Sequence, residues 1–113
     1  MMYHQRDIVE VNFLFPDGTF KPHPAIIVSN DQLQEDEDGM LYLVLITSND
    51  SLSMQYSYPL TDDMVIGNCF SKPSLVKCQI ILGYMERDVA RRLGTVKQQY
   101  FDEIVDKIIE AIF

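Results

Sequence analysis

The most chemically specific spacing in this chain is Lys21-Pro22-His23-Pro24, a histidine bracketed by two prolines. Proline fixes its own φ and pushes the residue before it towards extended geometry, so Pro22 and Pro24 confine the backbone on both sides of the imidazole. Histidine ordinarily titrates near neutral pH, so a ring held this stiffly is suited to giving or taking a proton. The same residues also suit a plain turn in a polar entry loop, and the residues alone leave both readings open. A second group is Ile46-Thr47-Ser48-Asn49, where two hydroxyls and an amide follow an apolar segment as it emerges into solvent. Such an end suits ligand contact and equally suits a turn, because Ser, Thr and Asn bond their own backbone readily. The third group is cationic: Lys72 and Lys77 flank one segment, and Arg87, Arg91 and Arg92 follow it.

These groups must be positioned by β-structure. Asp7 to Phe15 places Val9, Val11, Phe13 and Phe15 on one side and Glu10 and Asn12 on the other, the period of a half-buried strand. Pro16-Asp17-Gly18 supplies hairpin chemistry. Ala25 to Val28 is a continuous apolar run that predicts a strand buried on both faces, and Asp31 to Asp38 predicts an acidic polar loop. Met40 to Thr47 is almost wholly apolar and predicts a strand in the middle of the sheet. Met54 to Tyr58 predicts an edge or surface strand ending at Pro59, and Thr61 to Asp63 a polar turn. Ser74 to Leu82 predicts a strand broken by Gly83, and Glu86 to Leu93 a short helical turn carrying its arginines outward. From Lys97 to Phe113, residues Tyr100, Phe101, Ile104, Val105, Ile108, Ile109 and Ile112 recur at helical spacing, which predicts a helix packed on the sheet. Short strands before one terminal helix, without a βαβ rhythm, predict a mainly β fold: a small antiparallel barrel or strongly curved sheet with a C-terminal helix.

Composition narrows the function. At 113 residues and 47% hydrophobic, one domain spanning residues 1–113 with a real core is expected. No apolar run is long enough to span a bilayer, so a cytoplasmic protein without a membrane partner is expected. Cys69 and Cys78 read as reduced packing residues, and with only His4 and His23 beside them they do not make a zinc site. No phosphate-binding glycine loop or zinc-protease helix occurs, and neither a cofactor nor a metal is expected. The net charge of −8 opposes nucleic-acid binding by the surface as a whole and leaves room only for a local basic face.

The order of pieces resembles one family. Asp7-Ile-Val, Pro24-Ala-Ile-Ile-Val-Ser-Asn-Asp31, Ile46-Thr-Ser-Asn49, Ser74 with Lys77-Cys78, and Arg92-Leu-Gly94 before a terminal helix are similar to the MazF/PemK/Kid toxins, over nearly the whole chain. The resemblance implies an SH3-like barrel, a homodimer neutralised by a cognate antitoxin protein, and metal-independent endoribonuclease cleavage of single-stranded RNA. DNA contact is implied only within a toxin-antitoxin complex. It implies catalytic roles for His23, Thr47 and Lys77, and substrate contacts from Lys21, Ser48, Asn49 and Gln79. Two departures stand out: His23 occupies the place of the family's usual arginine, and Gln79-Ile-Ile-Leu82 replaces an Asp-Gln-Ile-Arg run. The alternative they raise is a catalytically lapsed relative that binds protein or nucleic acid.

Overall fold

Period-two alternation makes β1 of Asp7–Leu14, and the Phe15–Thr19 turn folds it back onto β2, Phe20–Ile27. The turn is closed by a Phe15 N–H donating to the Thr19 carbonyl at 2.9 Å, while Gly18 sits at φ +87°, a conformation that costs glycine little. The computed structural model describes residues 2–48, 54–67, 70 and 73–113. Asn49, Cys69 and Lys72 lie outside the described residues.

Among the described residues, seven strands form one antiparallel sheet in the order β4-β6-β3-β2-β1-β7-β5, where β3 is Met40–Thr47, β4 Ser57–Leu60, β5 Val65–Ile66, β6 Ser74–Met85 and β7 Val89–Val96. The prediction of a central strand over Met40–Thr47 holds with its boundaries. Both faces of the sheet are apolar at its centre. On one, Ile8, Ile26, Val44, Ile46, Val76 and Cys78 pack against Phe101, Ile104 and Ile108 of the terminal helix α2, Gln98–Ile112. On the other, the concave face, Val9, Val11, Ala25, Ile27, Leu41, Leu43 and Leu45 form a second cluster edged by Phe13, Leu82 and Tyr84. The fold is thus a curved half-barrel with a helix on its back. No helix of the described residues is long and apolar enough to cross a membrane.

Several expectations need correction. The Pro-His-Pro segment is not a loop: it lies inside β2, with Pro22 opposite Asn12, His23 opposite Val11 and Pro24 opposite Glu10. The acidic stretch contains a helix, α1 (Asp31–Asp36), because the Asn30 side chain accepts from the Leu33 N–H at 2.8 Å and starts it. The α1 residue Gln34 is fully buried, donating to the Tyr3 carbonyl at 3.0 Å and accepting from Ser29 Oγ at 3.2 Å. The predicted Met54–Tyr58 edge strand is instead a 3-10 turn, Met54–Tyr56, followed by β4, which is an edge strand but carries Pro59 within it. Gly83 does not break β6; a Cβ there would come within 3.3 Å of Met40 Sδ, so glycine permits close packing in mid-strand. Glu86–Leu93 is a 3-10 turn, Glu86–Asp88, leading into β7, where Arg91 and Arg92 reach Glu10 at 3.4 Å and Asp7 at 3.8 Å on the neighbouring strand. On α2 the apolar stripe is narrower than its sequence suggests, since Ile109 and Ile112 are exposed.

Candidate active site on the concave face

The placement of His23 follows from strand alternation. His23, Ala25 and Ile27 share one side of β2, and Ala25 and Ile27 belong to the concave cluster, so the imidazole lies on that face. Its ring stands beside Phe13 and Phe15, with centroids 5.8 and 6.0 Å away, and those two rings meet edge to face at 5.3 Å. Lys21, two residues earlier on the same side, holds its Nζ 5.3 Å from the Phe15 ring centroid. His23 Nδ1 lies 3.0 Å from the Pro24 carbonyl oxygen. A carbonyl only accepts, so Nδ1 carries the proton; in the neutral ring the lone pair is then on Nε2, which has no partner among the described residues.

The prolines explain why β3 does not pair with β2 at His23. The Val28 N–H donates to the Tyr42 carbonyl at 2.9 Å, so by alternation the even-numbered residues of β2 turn their backbone groups towards β3. Pro22 and Pro24 are even-numbered and have no N–H to give. The β2–β3 ladder accordingly stops at Ala25↔Leu45, and Phe20 to Pro24 is paired with β1 alone. Continuing that register by two residues sets His23 across from Thr47, which shares the concave side of β3 with Leu43 and Leu45.

Thr47 is half-buried at the end of β3 and Ser48 beyond it is exposed. Thr47 is paired with Leu75 of β6, and Lys77 lies two residues along on that same side, since Val76 and Cys78 point to the helix face. Lys77 is half-buried, opposite buried Ser57 of β4. The structure thus brings His23, Thr47 and Lys77 to one face of three consecutive strands. Near Gln79 the β3–β6 register slips, from Val44↔Ile81 to Ile46↔Val76. The Gln79 Oε1 is buried there without a hydrogen-bond partner among the described residues. Cys78, beside it but on the helix face, is a buried thiol whose pKa burial pushes up to about 11, which fits a packing residue and not a nucleophile.

What the sequence alone did not show is the aromatic support of His23. The available signal was that Phe13 and Phe15 continue the Val9 and Val11 side of β1, which a hairpin about Asp17-Gly18 folds onto the histidine.

Comparisons with known proteins bear on the family and the fold. The family model of the PemK-like, MazF-like toxins of type II toxin-antitoxin systems matches residues 4–112. No curated protein sequence matches the chain. Among solved structures, a MazE-MazF complex from Deinococcus radiodurans is similar at a TM-score of 0.75 and 14% identity, covering 100% of each chain. An endoribonuclease bound to its cognate antitoxin, from a mycobacterial species, gives 0.71 at 14% identity over 96% of this chain and 93% of the other. The Mycobacterium tuberculosis toxin MazF-mt6 gives 0.63 at 20% identity over 95% and 92%. At such identities the structures establish a shared fold. The family match, extending over nearly the whole length, establishes that the chain belongs to the PemK-like, MazF-like toxins of type II toxin-antitoxin systems.

Proposed function

We propose that this protein is the toxin of a toxin-antitoxin pair and an endoribonuclease that cleaves single-stranded RNA, with the concave face as its active site. The observation that carries the reading is the alignment of an imidazole, a hydroxyl and an ammonium group on one side of β2, β3 and β6, beside a strand edge that Pro22 and Pro24 leave unpaired. The chemistry that suits these groups is transfer of the scissile phosphorus from the 5′-oxygen to the neighbouring 2′-oxygen. His23 Nε2 takes the 2′-hydroxyl proton as the new 2′-O–P bond forms. Thr47 and Ser48 hydrogen-bond the phosphate oxygens and Lys21 adds positive charge. As the P–O5′ bond breaks, Lys77 gives a proton to the departing oxygen, leaving a cyclic phosphate on one fragment and a 5′-hydroxyl on the other. Solvent then removes the proton from His23 and restores that of Lys77. Gln79 and Asn49 complete the substrate contacts.

The protein acts over residues 1–113 as one unit in the cytoplasm, as a homodimer held inactive by a cognate antitoxin; DNA contact belongs to that complex. A polyanion binds this face despite a net charge of −8 because much of the acid lies elsewhere, along α1 and the outer side of α2.

The test is induced expression with RNA integrity followed over time, alongside purified His23→Ala. General acid-base catalysis contributes roughly 100- to 10,000-fold, so His23→Ala loses a rate of that order while RNA binding persists. Intact RNA at every pH from about 5 to 9, a span centred on the ordinary titration of histidine, overturns the catalytic reading. RNA intact together with tight antitoxin binding favours the lapsed relative, which the absence of a carboxylate or guanidinium across Gln79 to Leu82 supports.

A further inference from the structure

Beyond the His23 face, a cavity of about 530 Å³ opens where the hairpin end of β1 and β2 meets the β6–β7 connection; Asn12, Phe20, Tyr84, Arg87 and Asp88 are among its walls. Three features of these walls are unusual for plain surface. Acidic residues outnumber Lys and Arg 17 to 9, yet Arg87, alone among the described cations, has no partner among the described residues. Phe20 is 67% exposed. The Tyr84 hydroxyl donates to the Asn12 carbonyl at 3.3 Å, which ties β6 to β1 across the cavity while the Asn12 side-chain amide has no partner among the described residues.

An aromatic face, a second ring, an amide and an uncommitted guanidinium are the components that hold a nucleotide: rings stack bases, an amide meets a base edge, and a guanidinium takes phosphate as a fork. The position also fits. Asn12↔Pro22 is the rung next to Val11↔His23, so the cavity begins one residue along the ribbon from the imidazole, and its walls Tyr84 and Val89 belong to the cluster on the His23 face. The flank from Phe20 to Pro24 is not paired with β3, so a flexible polynucleotide can run along it from the imidazole to the cavity.

We propose that this cavity binds a single nucleotide unit of the RNA next to the one cleaved, with its base against Phe20 and Tyr84, its base edge at Asn12 and Asp88, and its phosphate at Arg87. The inference rests on the ribonuclease reading for its place in the reaction. The amide and carboxylate together favour adenine, whose exocyclic amine donates while its ring nitrogen accepts.

The test is titration of the full-length His23→Ala protein with adenosine 5′-monophosphate and, separately, uridine 5′-monophosphate, followed by backbone amide NMR. The expected result is saturable shifts at Asn12, Phe20 and Ala90, tighter for the adenine nucleotide and at least tenfold weaker in Arg87→Ala and Phe20→Ala. Shifts confined to other surfaces, no saturation, or equal affinity in Arg87→Ala overturn the proposal. The two readings fail separately. Wild-type protein that leaves RNA intact but binds the nucleotide here sinks only the nuclease, whereas RNA cleavage without nucleotide binding at this cavity sinks only the subsite.

Discussion

Replacing Gln79 with methionine tests whether a costly feature of this chain is retained for function. The Gln79 Oε1 is buried with no donor among the described residues, beside the register slip between β3 and β6. A buried acceptor left unpaired costs about 1–3 kcal/mol, whereas an apolar group of similar shape carries no such penalty. Methionine matches the length of glutamine and adapts its thioether to an irregular gap, so Gln79→Met recovers about 1 kcal/mol at the low end of that range. Unfolding entropy is about 2.1 cal/mol/K per residue, which over 113 residues is roughly 0.24 kcal/mol/K. The melting temperature therefore rises by about 4 °C. Thermal unfolding followed by circular dichroism reads this directly, and the midpoint in urea should rise with an unchanged slope. If Gln79 touches RNA, cleavage by the same variant falls, since natural sites commonly hold stability below its optimum. A variant that melts lower would show that the amide is a structural partner and that the argument from its unpaired oxygen is wrong.

Three further outcomes follow from the fold. Pro24→Ala adds an N–H facing β3 where the register sets residue 24 against Ile46. The extra bond, about 1 kcal/mol, is nearly offset by about 0.4–1 kcal/mol of added freedom in the unfolded chain, so stability changes little while RNA cleavage falls; an exchange-unprotected amide at position 24 would contradict the open-edge argument. Ile104→Ala, fully buried under α2, costs about 2–5 kcal/mol in urea unfolding, while Ile109→Ala, 52% exposed on the same helix, costs little; equal losses would mean that the outer side of α2 is covered. The buried Cys78 thiol is raised from 9.0 to about 11, so the folded state holds its proton more tightly than the unfolded chain does. That contribution is fully present below pH 9 and is lost as pH rises through about 11. The stability gap between wild type and Cys78→Ala should accordingly narrow over that window, and a constant gap would contradict it.

Elements governed by one strong pattern were legible in advance. The unbroken apolar run of β3 and the helical spacing of α2 each had one physical solution, and both elements lie where the residues place them. What escaped the sequence depended on partners distant along the chain. Nothing local reveals that Arg91 and Arg92 sit on a strand, because their ion pairs are with Glu10 and Asp7 across a β1–β7 ladder. Five polar residues and Leu33 form α1 because Asn30 caps it and Gln34 finds the Tyr3 carbonyl, and neither partner is visible in a count of charges. The Pro-His-Pro segment misled for a related reason. Two prolines argue against a central strand, but β2 is central only from Ala25 onwards and is an edge before it, where proline is tolerated. The candidate residues on β2, β3 and β6 were therefore legible only as separate groups, and it is the strand register that puts them on a common face.

The same two prolines bear on how the protein survives at high concentration. A strand with an unpaired flank is a template on which another chain can extend the sheet, the usual start of aggregation. On Phe20 to Pro24 that template is defective, because two of its three donor positions are empty and no incoming strand can complete a ladder there. A bare β-edge can thus be kept beside His23 without inviting fibril growth, so substitutions at Pro22 and Pro24 should be judged by solubility as well as by RNA cleavage.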